Sequence, residues 1–371
     1  MKSSIPRRSA LVVAMALVSL LAGAPPSAFA AHPESPGPIQ ILTQNMDDGT
    51  DQSYVIAALL GQLPLGTAVD LTFAEIQASD IPGRVDGMAA QIAARQPEIV
   101  ALQEVALWRF GPTPETATTV LFDSLALLQS ALGSLGVPYD VLAVNALTDL
   151  AVPGDEIGGA LRYTDRNAVL VRSDLRPPAY HVSNVHARTF DAALPFEGLT
   201  IQSGWISADI HTGNRQFRFV TTHLESPIPG VPEATEVQVA QAQELVHELR
   251  NLTIPVVIAG DFNSDALHGG FVDDTPAVDV ITAAGYSETW PATLHPGGGD
   301  PDGRTWPLYL EDQFPPPPFF APFSPIERID LFFSAGLDAV SSDLVIVPGP
   351  TTPLAPPFAS DHAGVAAVFQ P

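Results

Sequence analysis

Short apolar segments that each end on a polar residue are the feature that most limits what this chain can fold into. The clearest is Ile254-Pro-Val-Val-Ile-Ala-Gly-Asp-Phe-Asn263. Val256 to Ala259 is a continuous apolar run of strand length, bounded by Pro255 and Gly260, so it reads as a buried strand. Asp261 and Asn263 follow directly. A strand end followed by a glycine turn holds polar groups at the rim of a sheet, where ligand sites form. Five further segments share the design. They bring Asn45, Glu104, His223 (in Thr-Thr-His-Leu-Glu), Asp330 (in Arg-Ile-Asp-Leu) and Asp361 with His362 to strand ends.

The elements between these segments alternate. Ile39 to Met46 is the first expected strand and Asp86 to Arg95 a helix stopped by Pro97. Ile99 to Leu102 is a strand, Thr118 to Leu135 a helix with Val120, Leu121, Leu125, Leu128 and Leu132 on one stripe. Val137 to Val144 and Asn167 to Val171 read as strands. Leu199 to Ile210 and Gln216 to Thr222 read as a hairpin, Glu233 to Leu249 as a helix, and Arg328 to Phe333 and Ala363 to Phe369 as late strands. This predicts a layered α/β domain with mixed sheets and no second-domain boundary. Asp47 to Pro82, with helical patches Tyr54 to Leu63 and Val69 to Ala78, reads as an insertion at the rim. Ala266 to Pro325 reads as loop-rich, with a Pro-rich loop over about 296–325.

Met1 to Ala30 has the form of a secretory signal: Lys2, Arg7 and Arg8, then an apolar stretch, then Ala28-Phe29-Ala30 as a cleavage site. A secreted chain cleaved after Ala30, without stable membrane insertion and monomeric, is expected. It has no Cys, so no disulfide is available. The formal net charge is −25, and Lys2 is the only lysine. Such acidity repels phosphate backbones at long range, which argues against tight non-specific nucleic-acid binding unless arginines cluster or divalent cations screen the site.

Taken singly, each polar strand end has a structural explanation: a turn, a solvated carboxylate, a histidine bonded to backbone. Together they make a coherent chemical set. Oxygen ligands without Cys favour Mg²⁺ or Mn²⁺ over zinc. Glu104 is the best single ligand, with Asn45 and Asp361 beside it. Asp261 suits the base that takes a proton from water, and Asn263 suits orienting that water or a phosphate oxygen. His223 and His362 suit hydrogen-bond donation to phosphoryl oxygens or a leaving group, with Asp330 as partner to His362. Asp47, Asp48 and Asp51 read as a solvated acidic turn, with added metal affinity as the rival reading. Asp300-Pro301-Asp302-Gly303 reads as a plain turn, with Ca²⁺ binding as the rival.

The set Thr43-Gln44-Asn45, Leu102-Gln103-Glu104, Arg166-Asn167-Ala168-Val169-Leu170, Thr222-His223-Leu224, Gly260-Asp261-Phe262-Asn263, Arg328-Ile329-Asp330 and Ser360-Asp361-His362 resembles the endonuclease/exonuclease/phosphatase superfamily, in that family's order. The resemblance implies a four-layer α/β/β/α sandwich and metal-dependent phosphoester hydrolysis. It gives Glu104, Asn45 and Asp361 to the metal, Asp261 and Asn263 to the nucleophile, and His223 and the Asp330–His362 pair to the phosphate. It adds Asn167 and Arg166 as substrate phosphate-binding residues. Arg166 departs from the glycine common in the family, and reads either as a phosphate clamp or as a salt bridge to Asp165. The implied substrates are nucleic acid, a phospholipid headgroup or a small organic phosphate. Sphingomyelinases of the superfamily carry an exposed aromatic hairpin before Ser-Asp-His, where Val347 to Ala359 offers only Phe358. The Phe314 to Phe323 tract reads as a stiff polyproline lid, or as an apolar lip in place of that hairpin. A non-catalytic binding protein that keeps the fold is the alternative from another class.

Overall fold

The computed structural model describes residues 37–177, 180–196, 199–312, 319–351 and 355–370. The expected signal segment and residues 313–318 of the Pro-rich loop lie outside them. Ser35–Pro371 forms one unit by its internal contacts. Strand Ile39–Asn45 runs parallel to Ile99–Gln103 and antiparallel to Gly364–Phe369. These belong to an eight-stranded sheet that also holds Ala160–Arg172, Tyr139–Pro153, Leu107–Gly111, Thr119–Asp123 and Ala339–Val345. A six-stranded sheet is built from Ser287–Glu288, Asp330–Ala335, Val256–Asp261, Arg215–His223, Gly204–Thr212 and Tyr180–Thr189, in that order.

The period-2 alternation of strand side chains explains why these runs are apolar on both faces. Ile41, Ile99 and Ala101 of the first sheet meet Phe217, Phe219, Val257 and Ala259 of the second in one cluster. Leu42, Val100 and Leu102 point the other way, onto helices Ile81–Arg95 and Ser124–Ser134. Val256 and Ile258 likewise face helices Pro232–Leu249 and Ala277–Ala283. The result is the expected α/β/β/α sandwich: two mixed sheets face to face, each covered by helices.

Several stretches differ from the sequence reading. Leu199 to Ile210 is not one hairpin strand: Leu199–Ile201 pairs with Leu194–Phe196, and Gly204–Thr212 pairs with Arg215–His223. Leu107–Gly111 and Tyr180–Thr189 are strands the sequence reading did not place. The apolar stripe of Thr118 to Leu135 is not one helix. Thr119–Asp123 is a strand, and the helix is Ser124–Ser134, with the Asp123 side chain accepting from the Ala126 N–H as its N-cap. The β-branched Thr118-Thr119-Val120 run favours the extended form, and Val120 is 55% exposed, on no buried stripe. The stretch read as loop-rich carries helix Ala277–Ala283 and a small hairpin, Tyr309–Asp312 with Phe319–Pro322. The insertion after the first strand forms helices Ser53–Leu59 and Leu65–Ala78. No helix among the described residues is long and apolar enough to cross a membrane.

Candidate active site

Sheet register brings the polar strand ends together. In the six-stranded sheet His223 pairs with Asp261, and Asp261 with Asp330, so three functional side chains stand in one row across three strands. Gly260, just before Asp261, has φ 147°, and a Cβ there would lie 2.0 Å from the Thr222 carbonyl oxygen. Only glycine lets the strand approach its neighbour this closely. Glu104 and Asn263 both take positive φ, 51° and 45°. Such conformations are costly for residues with a Cβ, and they gather where side chains must be aimed.

From the other sheet, Asn45 reaches across the gap. Its Nδ2 donates to Glu104 Oε1 at 2.8 Å and to Asp261 Oδ2 at 2.9 Å, while its Oδ1 accepts the Asp47 N–H at 2.8 Å. Glu104 Oε2 accepts the Asp48 N–H. Asp261 Oδ1 accepts the Asn263 N–H, and Asn263 Nδ2 lies 3.1 Å from His223 Nε2. His223 Nε2 and His362 Nδ1 each stand 3.7 Å from Asp261 Oδ2. His362 Nδ1 is 2.9 Å from Asp330 Oδ2. Trp306 donates its indole N–H to Asp361 Oδ2 at 3.0 Å.

The electrostatics follow from burial among like charges. Burial acts to lower the His362 pKa, but Asp330, Asp361 and Asp261 outweigh it and hold it well above the ordinary value. His223 is raised for the same reason, with Asp261, Glu104 and Asp165 outweighing burial. Burial pushes Asp361 up to about 7 and Asp165 up to about 6. Glu104, Asp165, His223, Asn263, Asp361 and His362 border a cleft of about 480 Å³ whose walls combine carboxylates with Leu150, Leu199, Ile201 and Ile228, while Asn45, Asp261 and Asp330 are buried next to them.

Asn45, Glu104, His223, Asp261, Asn263, Asp330, Asp361 and His362 thus share one rim. Glu104, Asp261 and His362 each offer a ligand atom, all within 4.8 Å of one another, a group able to hold a metal ion. The fit is chemical as well as spatial. Two carboxylates share the single Asn45 amide, and no Arg or Lys is among the described residues that border the cleft to offset them. The expected ligands Asn45 and Asp361 are engaged differently, Asn45 through its amide hydrogens with the two carboxylates and Asp361 with Trp306.

Other expectations need correction. Arg166 neither clamps the cleft nor pairs with Asp165 as a salt bridge. Its guanidinium donates to the Val105 and Ala106 carbonyls and to Asp123 at 2.6 Å, because the strand pairing faces it that way. Asn167 is fully buried and donates to the Gly204 carbonyl, and it is not among the described residues that border the cleft. Asp47 and Asp48 are not a solvated turn. Asp47 is 6% and Asp48 1% exposed; Arg84 pairs with Asp47 at 3.2 Å, and Tyr309 also donates to it. Asp300 and Asp302 both pair with Arg304, which favours the plain turn over Ca²⁺.

Asp165, Glu225 and Trp306 border the cleft and were not singled out from sequence. Asp165 stands immediately before Arg166-Asn167, and Glu225 closes Thr-Thr-His-Leu-Glu, so proximity to the motifs was the available signal.

A two-sheet sandwich with an acidic, histidine-bearing rim able to hold a metal defines a class of phosphoester-directed folds. The chain belongs to the Endonuclease/Exonuclease/phosphatase family, whose model matches residues 75–362. Among solved structures it is similar to an endonuclease/exonuclease/phosphatase family protein from Leptotrichia buccalis, at 16% identity and TM-score 0.55, covering 89% of this chain and 99% of that one. It is similar to the mannosyl-6-phosphatase Bt3783 of Bacteroides thetaiotaomicron, at 13% identity and TM-score 0.53, covering 89% and 99%. It is also similar to D. rerio TDP2 complexed with single strand DNA product, at 14% identity and TM-score 0.50, covering 90% and 99%. At these identities the likeness is one of fold. No curated protein sequence matches the chain.

Proposed function

We propose that the chain is a Mg²⁺- or Mn²⁺-dependent phosphoester hydrolase, exported and cleaved after Ala30. The observation that carries this is the convergence of His223, Asp261 and Asp330 in one register row with Asn45 and Glu104 from the opposite sheet. The family's phosphatase and DNA-processing members support the reaction class. Glu104 would hold the ion beside Asp261, with Asn45 and Asp361, which here bond to the two carboxylates and to Trp306, as the further expected ligands; a bound ion would offset the negative charge that grows on the phosphoryl oxygens.

The protein's own groups do the rest. Asp261 takes a proton from a water, whose oxygen forms the new bond to phosphorus while the bond to the ester oxygen breaks. Asn263, fixed by its backbone bond to Asp261 and by its Nδ2 donation to the Leu224 carbonyl, orients that water. His362, kept protonated by Asp330, donates to a phosphoryl oxygen. His223, also raised, supplies the proton to the departing ester oxygen.

The purified mature protein, assayed with Mg²⁺ against plasmid DNA, RNA, sphingomyelin, inositol phosphates and a chromogenic phosphodiester, should hydrolyse at least one. Glu104→Gln and His362→Ala should each abolish that activity while the circular dichroism spectrum is kept. Near wild-type turnover in either variant would show the site to be misassigned. Silence across the panel from folded protein would favour a non-catalytic binding protein. A second substrate reading, a phospholipid headgroup, is favoured by Val272 and Leu310, which border the cleft at 51% and 46% exposure. Export is tested separately: N-terminal sequencing of protein from culture medium should begin at Ala31.

A further inference from the structure

We propose that the cleft selects phosphoesters by the charge of their organic part. It takes a group that carries hydrogen-bond donors or a positive charge, and it rejects one that carries further phosphates. This rests on the hydrolase reading above and specifies its substrate class.

The first observation is where the arginines go. A site for a polyanion needs cations along the path of the phosphates. Among the described residues that border the cleft there is no Arg and no Lys. The arginines nearest the site motifs are committed elsewhere: Arg84 to Asp47, Arg109 and Arg162 to Asp149, Arg166 to Asp123, Arg328 to Glu288. A bound metal ion would serve the phosphoryl group at the rim, and the walls beyond it offer a second phosphate no counter-charge.

The second observation is what the walls carry instead. Glu225 is 5% exposed and borders the cleft two residues after His223. Its backbone is pinned on both sides: its N–H donates to Gln241 Oε1 at 2.7 Å, and its carbonyl accepts from Gln238 Nε2 at 2.8 Å. Its Oε2 nevertheless has no hydrogen-bond partner within the described protein, and neither does Asp165 Oδ1 in the same wall. A carboxylate oxygen held out of water without a donor is costly, and a site that keeps two of them is complementary to a ligand bringing donors or positive charge. The rest of the wall carries further carboxylates, Asp47, Asp51 and Asp273, beside the apolar Leu150, Leu199 and Leu310.

Three p-nitrophenyl phosphodiesters that share a leaving group test this with wild-type protein and Mg²⁺. The second ester arm is ethyl, 2-aminoethyl or a thymidine trinucleotide. In each, water adds to phosphorus and p-nitrophenolate departs, so only the arm differs. We expect kcat/KM to be highest for the aminoethyl ester, about tenfold above ethyl, and lowest for the trinucleotide. Added salt should raise the trinucleotide value by screening repulsion. Glu225→Gln should shrink the aminoethyl-to-ethyl ratio. Leu310→Lys, at a position already 46% exposed, should raise the trinucleotide value. A trinucleotide hydrolysed best and slowed by salt, or three equal values, would overturn the charge selection while leaving the hydrolase intact. No p-nitrophenolate from any ester would overturn this inference, and silence on the five-substrate panel as well would overturn the hydrolase reading with it.

Discussion

Asn45 and Asp261, 216 residues apart in the chain, are joined by a 2.9 Å hydrogen bond that runs from one sheet to the other. The same Nδ2 also holds Glu104 at 2.8 Å, so one neutral amide separates two carboxylates that would otherwise repel across the site. Replacing it with a third carboxylate, Asn45→Asp, removes both donors and adds like charge. The variant should lose about 10² in kcat, since small misplacements of positioned groups carry costs of that order. Its melting temperature should fall in EDTA and recover more than the wild type's on adding Mg²⁺. A variant whose melting temperature is unchanged in EDTA would show that the amide does not hold the two carboxylates together.

Asp330 is placed to act through His362. Its Oδ2 lies 2.9 Å from His362 Nδ1, and it is the leading reason that the imidazole stays protonated despite burial. Asp330→Asn keeps the shape and removes the charge. We expect kcat to drop by roughly 10² with a smaller change in KM, because the donor to the phosphoryl oxygen is weakened more in the transition state than in the bound substrate. A kcat–pH profile of Asp330→Asn whose alkaline limb stays where the wild type has it would show that Asp330 does not act through His362.

Arg84 ties together the two segments that carry the site. Fully buried, it donates to the Met46 carbonyl at 2.7 Å, to the Asp47 carbonyl at 2.6 Å and to the Ala359 carbonyl at 2.7 Å, and it pairs with the Asp47 carboxylate. Arg84→Met strands these acceptors and leaves Asp47 with an uncompensated buried charge. Destabilisation of about 3–5 kcal/mol is expected in denaturant unfolding. Arg84→Lys should recover little of it, because an ammonium cannot span three carbonyls in a plane. A loss below 1 kcal/mol for Arg84→Met would mean the cluster reorganises around the gap.

What was legible in the sequence follows from which interactions are local. A strand's burial and the polar residue that ends it lie within one short segment, so His223, Asp261, Asp330 and His362 could be read directly, and their order placed them in one family. Interactions between segments could not be read. Arg84 sits in the helix Ile81–Arg95, where an arginine ordinarily reads as solvated, and only the approach of Met46 and Ala359 buries it. Arg166 had Asp165 beside it in sequence, but alternation along a strand sends neighbours to opposite faces, and Asp123 lies on its own side. The Thr118 to Leu135 stripe satisfied helical spacing throughout, so the strand over Thr119–Asp123 was hidden until Leu107–Gly111 offered it a partner.

Asp273 sets a pH dependence of stability that can be isolated. Burial, with Glu327 and Asp261 nearby, raises its pKa from 3.8 to about 8. At pH 6 the folded protein keeps this carboxyl protonated, while the unfolded chain has released the proton. The unfolded state therefore binds fewer protons, and stability falls as pH rises. The contribution is complete below 3.8 and gone above about 8. Glu225, raised to about 7, and Asp165, raised to about 6, act in the same direction over overlapping windows, so the total slope does not identify Asp273. The difference from Asp273→Asn does. Denaturant unfolding in EDTA between pH 5 and 8 should show the wild type losing stability faster than the variant, by up to about 1.4 kcal/mol per pH unit. Parallel curves would mean that Asp273 is ionised in the folded protein and that a cation or a donor compensates it there.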